Sequence, residues 1–263
     1  MLPALTTLAT LLVLGAEPAT FTVALDPGHG GSNRGAPTKQ EGFYEKHLTL
    51  GLAKRVQKLL AAERDIKLVL CRTTDVLVPV RARVRCGNDA RARLFISLHA
   101  NAAGGGEPPG SQRGFEIFLL PVAEVDKEVA RVALLAKDDD EAAWAGHQVR
   151  LAAEQGLAAA RRIEWRLADT LGRDRDRGIK QTGATLDVLQ GLAMPAVLVE
   201  VGFLDHAEEG GFLLSDDGQK AIAKALAGAI TDLRSREQRG RKEPMTTAPR
   251  PGKKPEPKPE PEP

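Results

Sequence analysis

The feature of this sequence that most constrains its fold is an alternation of short apolar runs with segments of helical periodicity. The apolar runs are continuous, which is typical of strands buried on both faces of a parallel sheet. They fall at residues 21–26, 66–71, 94–98, 115–120 and 196–201. Helical patterns occupy residues 45–63, 79–91, 122–172 and 217–234. This alternation predicts an α/β fold: a single domain with a twisted, mostly parallel sheet flanked by helices on both faces.

Four polar residues stand where a predicted strand ends or the next helix begins. His29 follows the first strand in a Pro-Gly-His-Gly-Gly loop, and Glu45 opens the first helix. His99 follows the third apolar run, and Glu200 lies near the end of the fifth. Sites in such sheets form beyond the carboxyl ends of the strands. We therefore expect these four side chains to lie close together.

The residue types point to metal chemistry. Two histidines and one glutamate are the protein ligands of several catalytic zinc sites, in which water takes the fourth position. A second carboxylate beside that position can accept a proton from water. Glu200 suits this role, because a carboxylate inside an apolar strand is costly unless it is paired, protonated or near a metal. Spacing alone leaves two interpretations open, a zinc site and a set of unrelated structural residues.

The other histidines are not expected to bind this metal. His47 is two residues from Glu45 on the same helix, so the two side chains diverge. His147 lies in a charged helical stretch, and His206 has no supporting context.

The two cysteines, Cys71 and Cys86, lie at the end of a predicted strand and in the predicted helix 79–91. In an exported protein they could form a disulfide. They could also be buried thiols of a strand and a helix, and this is the interpretation that we favour. The arginines of the same helix are expected on its exposed face.

Both termini are expected to lie outside the folded domain, which we place at residues 20–236. Residues 1–19 carry an apolar stretch followed by small residues, a pattern typical of a signal peptide, although no Lys or Arg precedes the stretch. Residues 237–263 are rich in Pro, Lys and Glu, a composition that predicts a disordered tail. The net charge of +2 indicates no preference for nucleic acid.

Several blocks of the sequence together resemble one enzyme family. Asp-Pro-Gly-His-Gly-Gly begins at Asp26, Ser-Leu-His-Ala-Asn at Ser97 and Leu-Val-Glu-Val-Gly-Phe at Leu198, and a Glu45-Lys46 pair opens a Leu-rich helix between the first two. In this combination, over residues 21–233, the chain resembles the zinc-dependent N-acetylmuramoyl-L-alanine amidases of the amidase-3 family.

The resemblance implies a role for each candidate residue. His29, Glu45 and His99 match the zinc ligands of the family, and Glu200 matches its catalytic glutamate. The implied fold is a twisted six-stranded sheet between helices, with residues 20–236 as the catalytic domain. The implied reaction is hydrolysis of the amide bond between N-acetylmuramic acid and the L-alanine of the stem peptide in peptidoglycan. The alternatives are an inactive peptidoglycan-binding module and another zinc peptidase of cell-wall peptides.

The resemblance also raises expectations about regulation and location. The helical segment at about residues 122–160 resembles an insertion that covers the active site in some members, so we expect autoinhibition by an acidic side chain of residues 138–141 and an activator protein that relieves it. The other interpretation is a solvated charged helix. We further expect a secreted, periplasmic monomer without a membrane span. Two departures from the family, Thr49 and His206, stand where Asn is usual.

Overall fold

The computed structural model of the protein describes residues 20–104, 106–181 and 186–242. A single sheet lies at its centre. Its strands are β1 (Phe21–Pro27), β2 (Ile66–Leu70), β3 (Leu94–Asn101), β4 (Phe115–Phe118), β5 (Asp176–Lys180) and β6 (Ala196–Phe203). The spatial order is β2-β1-β3-β6-β4-β5. All neighbouring strands are parallel except β4 and β6, which are antiparallel. The predicted α/β class with a mostly parallel, six-stranded sheet is confirmed.

Helices cover both faces of this sheet. They are α1 (Glu45–Leu60), α2 (Val80–Asp89), α3 (Val122–Ala133), α4 (Asp139–Leu171), α5 (Ala207–Leu214) and α6 (Asp216–Lys242). The larger core joins α1, α4 and α6 to one face, where Leu52, Ile163 and Ile230 are fully buried. A smaller core lies on the other face, beneath α2 and a short 3-10 turn at Asp187–Leu189. This thinner covering leaves room for a site at the edge of the sheet.

The apolar pattern missed one strand, β5. Its sequence is Asp-Arg-Gly-Ile-Lys, and it lies at the edge of the sheet beside β4. Arg177 is exposed, and Ile179 is only partly buried. An edge strand is buried less than a central one and needs no continuous apolar run. Its sequence therefore carried no strand signal, and only the family resemblance implied a sixth strand.

The preference for buried thiols was wrong, because Cys71 and Cys86 form a disulfide. Cys71 directly follows β2, and Cys86 lies in α2. The two Cα atoms are 5.6 Å apart, within the usual range for a disulfide. The bond therefore fastens the end of an edge strand to the helix that crosses the thinner face.

The helical insertion lies at the edge of the sheet where β6 begins. The chain reaches this edge because β4 runs antiparallel to β6, and α3 then packs against the first half of α4. The groove between these helices is also lined by Met194 and Ala196, at the start of β6. At Gly156, α4 passes so close to this strand that an added Cβ would lie 3.3 Å from the Ala196 carbonyl oxygen. The α3–α4 hairpin therefore packs at the amino end of β6.

The last helix, α6, extends to Lys242, beyond residue 234 where the periodic pattern stopped, so residues 237–242 are helical. The tail was expected to begin at residue 237, but the helix continues beyond that residue to Lys242. Residues 243–263 and the expected signal peptide, residues 1–19, lie outside the described residues. Within the described ranges, no helix combines the length and the apolar character needed to cross a membrane.

Candidate metal centre and active site

The sheet topology brings the four candidate residues to one edge. β1, β3 and β6 are parallel neighbours, so their carboxyl ends lie side by side. His29 follows β1 in the loop, whereas His99 and Glu200 lie inside β3 and β6, which extend further than the apolar runs indicated. His99 and Glu200 are direct partners in the register of these strands. Cross-strand partners project to the same face of a sheet, so both side chains point to the same region.

Glu45, the first residue of α1, joins the two histidines. Its Oε2 lies 2.9 Å from His29 Nε2, and its Oε1 lies 3.0 Å from His99 Nδ1. The backbone N–H groups of Ala36 and Ala100 donate to the same two oxygens, at 2.7 and 3.0 Å. A nearly buried carboxylate with four such partners is oriented before any ligand binds.

The charge state of this cluster follows from its contacts. Burial opposes ionisation of Glu45, but the hydrogen bonds and charges of His29 and His99 outweigh it and lower the pKa of Glu45 to about 2. Burial lowers the pKa of His29, but the contacts with Glu45 and Asn33 exceed that effect and raise it overall. His29 Nδ1 lies 2.9 Å from Asn33 Oδ1, which orients the ring so that Nε2 faces Glu45.

The donor set fits a zinc ion. One ligand atom from each of His29, Glu45 and His99 can be chosen so that all three lie within 4.8 Å of one another. Zinc holds nitrogen and oxygen ligands at about 2.0–2.2 Å, which requires donor atoms about 3–4 Å apart. Two imidazoles and a carboxylate also match the ligand chemistry of catalytic zinc sites. The spacing and the types of these donor atoms therefore fit a three-ligand zinc centre.

Glu200 is the unusual carboxylate of the site. Its Oε2 is buried and has no hydrogen-bond partner among the described residues. Burial, and then the negative charges of Glu45 and Glu116, raise the pKa of Glu200 well above its ordinary value. A buried carboxylate oxygen without a hydrogen-bond partner is expensive in a purely structural role. Glu200 lies beside the His29–Glu45–His99 cluster, because it is the direct partner of His99 in the register of β3 and β6.

Glu116 was not singled out in the sequence, yet it lies next to Glu200 in the register of β4 and β6. It is buried and forms ion pairs with Arg177 Nε, at 3.0 Å, and with Lys180. Asn101 Nδ2 donates to it at 2.7 Å. After burial, which opposes ionisation, these cations lower the pKa of Glu116. An ionised Glu116 thus lies beside Glu200. The only sequence feature that could have identified Glu116 was its position in an apolar strand.

Two glycines make the close packing of the site possible. A Cβ on Gly28 would lie 2.3 Å from the His99 ring, and a Cβ on Gly35 would lie 2.4 Å from Glu45 Oε2. Gly35 also has a φ of 71°, which disfavours any other residue. The absence of a side chain at Gly28 therefore lets the His99 ring pack against the loop that carries His29.

The remaining histidines do other work. His47 Nδ1 accepts from the Tyr44 N–H at the start of α1, at 3.1 Å. His206 Nδ1 accepts from the Glu209 N–H at the start of α5, at 3.2 Å. His147 is exposed. In the part of the chain that the structure describes, the only grouping of possible metal ligands is His29, Glu45 and His99.

The acidic run at residues 138–141 is not in this site. Asp138 caps α4 by accepting from the Glu141 N–H, at 2.8 Å, and the side chains of the run are exposed. The α3–α4 hairpin that carries it packs at the amino end of β6, whereas Glu200 lies toward the carboxyl end. The expectation that one of these acids occupies the open zinc position is therefore wrong for this structure. The acidic run instead lies on a solvated charged helix, which was the alternative interpretation.

The raised pKa of Glu200 predicts a pH-dependent cost in stability. A carboxylate whose pKa is raised by folding contributes most below its unfolded value, ordinarily 4.5, and loses that contribution as the pH rises through the folded value. We therefore expect metal-free Glu200→Gln to unfold at a higher temperature than the metal-free parent at pH 8, and the difference to shrink toward pH 4. Thermal unfolding of both proteins with chelator present measures it. Equal midpoints at every pH would contradict a costly Glu200 charge.

Comparisons with known proteins identify the family of this chain. Residues 23–232 match the family model described as N-acetylmuramoyl-L-alanine amidase, Amidase_3. An endolysin of Bacillus phage SPP1 is 29% identical over 214 residues, which cover 80% of this chain and 65% of the relative. The N-acetylmuramoyl-L-alanine amidase AmiC of Escherichia coli O6:H1 is 27% identical over 226 residues, which cover 80% of this chain and 52% of AmiC. The chain thus spans between about half and two thirds of these relatives.

A solved structure supports the same assignment. The crystal structure of an N-acetylmuramoyl-L-alanine amidase from Clostridium difficile 630 aligns with a TM-score of 0.64 and 25% identity. The alignment covers 83% of this chain and 98% of that one. Since the family model also matches most of the described residues, the chain belongs to the N-acetylmuramoyl-L-alanine amidase family, Amidase_3.

Proposed function

We propose that this protein hydrolyses the amide bond between N-acetylmuramic acid and the L-alanine of the stem peptide in peptidoglycan. The observation that carries the proposal is the convergence of His29, Glu45 and His99 beside Glu200, whose Oε2 is buried without a hydrogen-bond partner among the described residues. Membership of the amidase family supports the substrate class. Each of the four residues has a role in the reaction.

His29, Glu45 and His99 would hold a zinc ion. When bound, zinc supplies Lewis-acid activation of water and of the scissile carbonyl group. Glu45 keeps the negative charge that balances the ion, since its pKa of about 2 leaves it ionised at neutral pH. Asn33 Oδ1 accepts from the far nitrogen of His29, which keeps Nε2 free to face the ion.

Glu200 would move the protons. Its carboxylate takes a proton from the attacking water and later delivers it to the amine nitrogen of L-alanine, so one residue acts as base and then as acid. Zinc nearby favours the ionised form that a base requires, whereas burial and the charges of Glu45 and Glu116 favour the protonated form that an acid requires. These opposing influences suit a group that works in both states.

The test is digestion of purified peptidoglycan followed by mass spectrometry. We expect intact stem peptides with a free L-alanine amine and uncut glycan strands, no release with a chelator, and recovery when zinc is restored. Shortened peptides would instead indicate another zinc peptidase of cell-wall peptides. A folded, zinc-loaded protein that binds peptidoglycan and releases nothing would indicate an inactive binding module.

The proposal extends to location and partners. Because a protein that acts on peptidoglycan works outside the cytoplasm, we expect residues 1–19 to be a signal peptide and the protein to be secreted to the periplasm. The Cys71–Cys86 disulfide supports this location, because disulfides form in oxidising compartments. The exposed Leu134, Leu135 and Trp144 on the α3–α4 hairpin would suit an activator protein. The test is to titrate the parent protein and the Trp144→Ala variant with candidate periplasmic proteins. A partner that binds at the hairpin should have lower affinity for the variant than for the parent.

A further inference from the structure

The loop that carries His29 has an unfavourable backbone. His29 itself has a φ of 61°, in the left-handed region that residues with a Cβ seldom adopt. The glycines that follow, Gly30 and Gly31, also have positive φ, at 129° and 57°. A side chain in such a conformation persists when its surroundings determine it strongly. The contacts that hold this loop are therefore part of what places the His29 imidazole.

Arg83, from α2, supplies the first of these contacts. Its Nη2 donates to the His29 carbonyl oxygen at 2.6 Å, and its Nη1 donates to the Pro27 carbonyl oxygen at 2.7 Å. Nη1 also pairs with Asp26 Oδ1 at 2.6 Å. Asp26 is fully buried and accepts from Ser97 on β3. One guanidinium thus joins the end of β1 directly to the backbone of the histidine.

Arg72 supplies the second set from the side of β2. Its Nε donates to the Pro27 carbonyl oxygen and its Nη2 to the Gly28 carbonyl oxygen, both at 2.8 Å. Nη2 also donates to the Lys46 carbonyl oxygen, in the first turn of α1, at 2.8 Å. Thr49 completes this set, because its hydroxyl donates to the Gly28 carbonyl oxygen at 2.9 Å. The loop and the start of the helix that carries Glu45 are therefore fastened to one buried arginine.

Two buried guanidinium groups so close together are costly. Arg72 and Arg83 are 3% and 6% exposed. Burial, and then the charge of Arg83, lower the pKa of Arg72. Arg72 directly follows Cys71, and Arg83 lies about one turn before Cys86, so the disulfide joins the two segments that present these arginines. The disulfide thus links covalently the two segments that carry these cations.

We propose that Arg72, Arg83 and the Cys71–Cys86 disulfide form a brace that positions His29 for metal binding. The inference rests on the proposed zinc centre. Arg72 and Arg83 are positioning residues that act through the backbone of the loop, not ligands. The brace predicts that zinc affinity depends on residues of α2 and of the segment after β2, whose arginines donate to the backbone of the loop.

The test compares zinc affinity with folding stability. Arg83→Lys keeps the positive charge but replaces three donor nitrogens, which reach Val78, Asp26, Pro27 and His29, by a single ammonium nitrogen. The double variant Cys71→Ser/Cys86→Ser keeps both arginines and removes only the bond between their segments. The matched control is Arg234→Gln, which removes a mostly buried arginine of α6 that pairs with Glu63 and Asp65, near the start of β2. Competition with a chromogenic chelator gives the dissociation constant, and thermal unfolding of the metal-free proteins gives stability.

We expect Arg83→Lys and the double cysteine variant each to weaken zinc binding about 10- to 100-fold, the range found when residues that orient ligands are changed. Arg234→Gln should lower the unfolding temperature and change zinc affinity by less than about 2-fold, well below that range. The visible spectrum of the Co²⁺-loaded protein should change for Arg83→Lys and stay the same for Arg234→Gln. A general loss of stability would not produce such a difference between the two spectra.

Unchanged zinc affinity in folded Arg83→Lys and in the double cysteine variant would overturn the brace. If Arg83→Lys does not fold, the double variant decides alone, because both arginines remain. A parent protein that binds no zinc would overturn the proposed metal centre and the brace with it. A parent that binds zinc but cleaves no peptidoglycan would overturn the proposed activity only, and the affinity comparison would still judge the brace.

Discussion

Replacing Glu200 by Gln is expected to abolish measurable turnover while zinc stays bound. The amide keeps the size of the side chain but cannot accept a proton from water or deliver one to the leaving amine. Loss of a general acid–base group typically lowers kcat about 10²- to 10⁴-fold. Since the proposal assigns both proton transfers to Glu200, we expect the upper part of that range. The measurement is the rate of stem-peptide release from purified peptidoglycan, with bound zinc determined on the same preparation.

The control for this variant is Glu208→Gln, which changes an exposed carboxylate in the first turn of α5. It should release peptides at the parental rate. A Glu200→Gln protein that retains zinc and more than about a tenth of the parental rate would show that another group serves as base. The loss of rate would then be smaller than the contribution of a general acid–base group. Glu116 would be the first residue to examine, because it is its neighbour in the sheet.

Removing one imidazole of the candidate centre should have the second large effect. His99→Ala deletes one of three donor atoms and leaves Glu45 with one histidine partner. Changing groups that merely orient ligands costs about 10- to 100-fold in metal affinity. Loss of a ligand itself should therefore weaken zinc binding more than about 100-fold. Peptide release at limiting zinc should fall to background.

The matched control for His99→Ala is His47→Ala. His47 lies on the same helix as Glu45, only two residues away, but its Nδ1 accepts from the Tyr44 N–H at the helix start. Its loss should cost about 1 kcal/mol of stability, as for other N-terminal caps, and leave zinc affinity unchanged. Zinc content after dialysis and competition with a chelator measure both variants. Retention of zinc by His99→Ala, or its loss from His47→Ala, would show that the ligand set is misassigned.

The location of the site could be predicted from the sequence because it follows from strand direction. Continuous apolar runs identified β1, β3 and β6 as buried parallel strands, and the carboxyl ends of such strands meet at one edge. His29, His99 and Glu200 each stand near such an end. Their individual roles came from the family resemblance, since spacing alone left a structural interpretation open. The register that pairs His99 with Glu200 appears only in the folded sheet.

The arginines show a different limit of sequence reasoning. The arginines of the helix at residues 79–91 were expected on its exposed face, and Arg81 and Arg85 are exposed. Arg83 is buried instead, because Asp26 and three backbone carbonyl groups accept hydrogen bonds from its guanidinium. A helical pattern shows which residues share a face of the helix. It does not show that the buried carboxylate of Asp26 and the loop that carries His29 lie opposite that face. The same kind of contact determines the environment of Glu116.

What the sequence by itself determined is the local and directional part of this protein: the buried strands, most of the helices and the edge at which His29, Glu45, His99 and Glu200 meet. These follow from periodicity and from the common direction of parallel strands. The tertiary structure alone decided the Cys71–Cys86 disulfide, the brace of Arg72 and Arg83, and the place of the α3–α4 hairpin away from Glu200. Each depends on contacts between segments distant in the chain, and no local pattern in the sequence encodes such contacts.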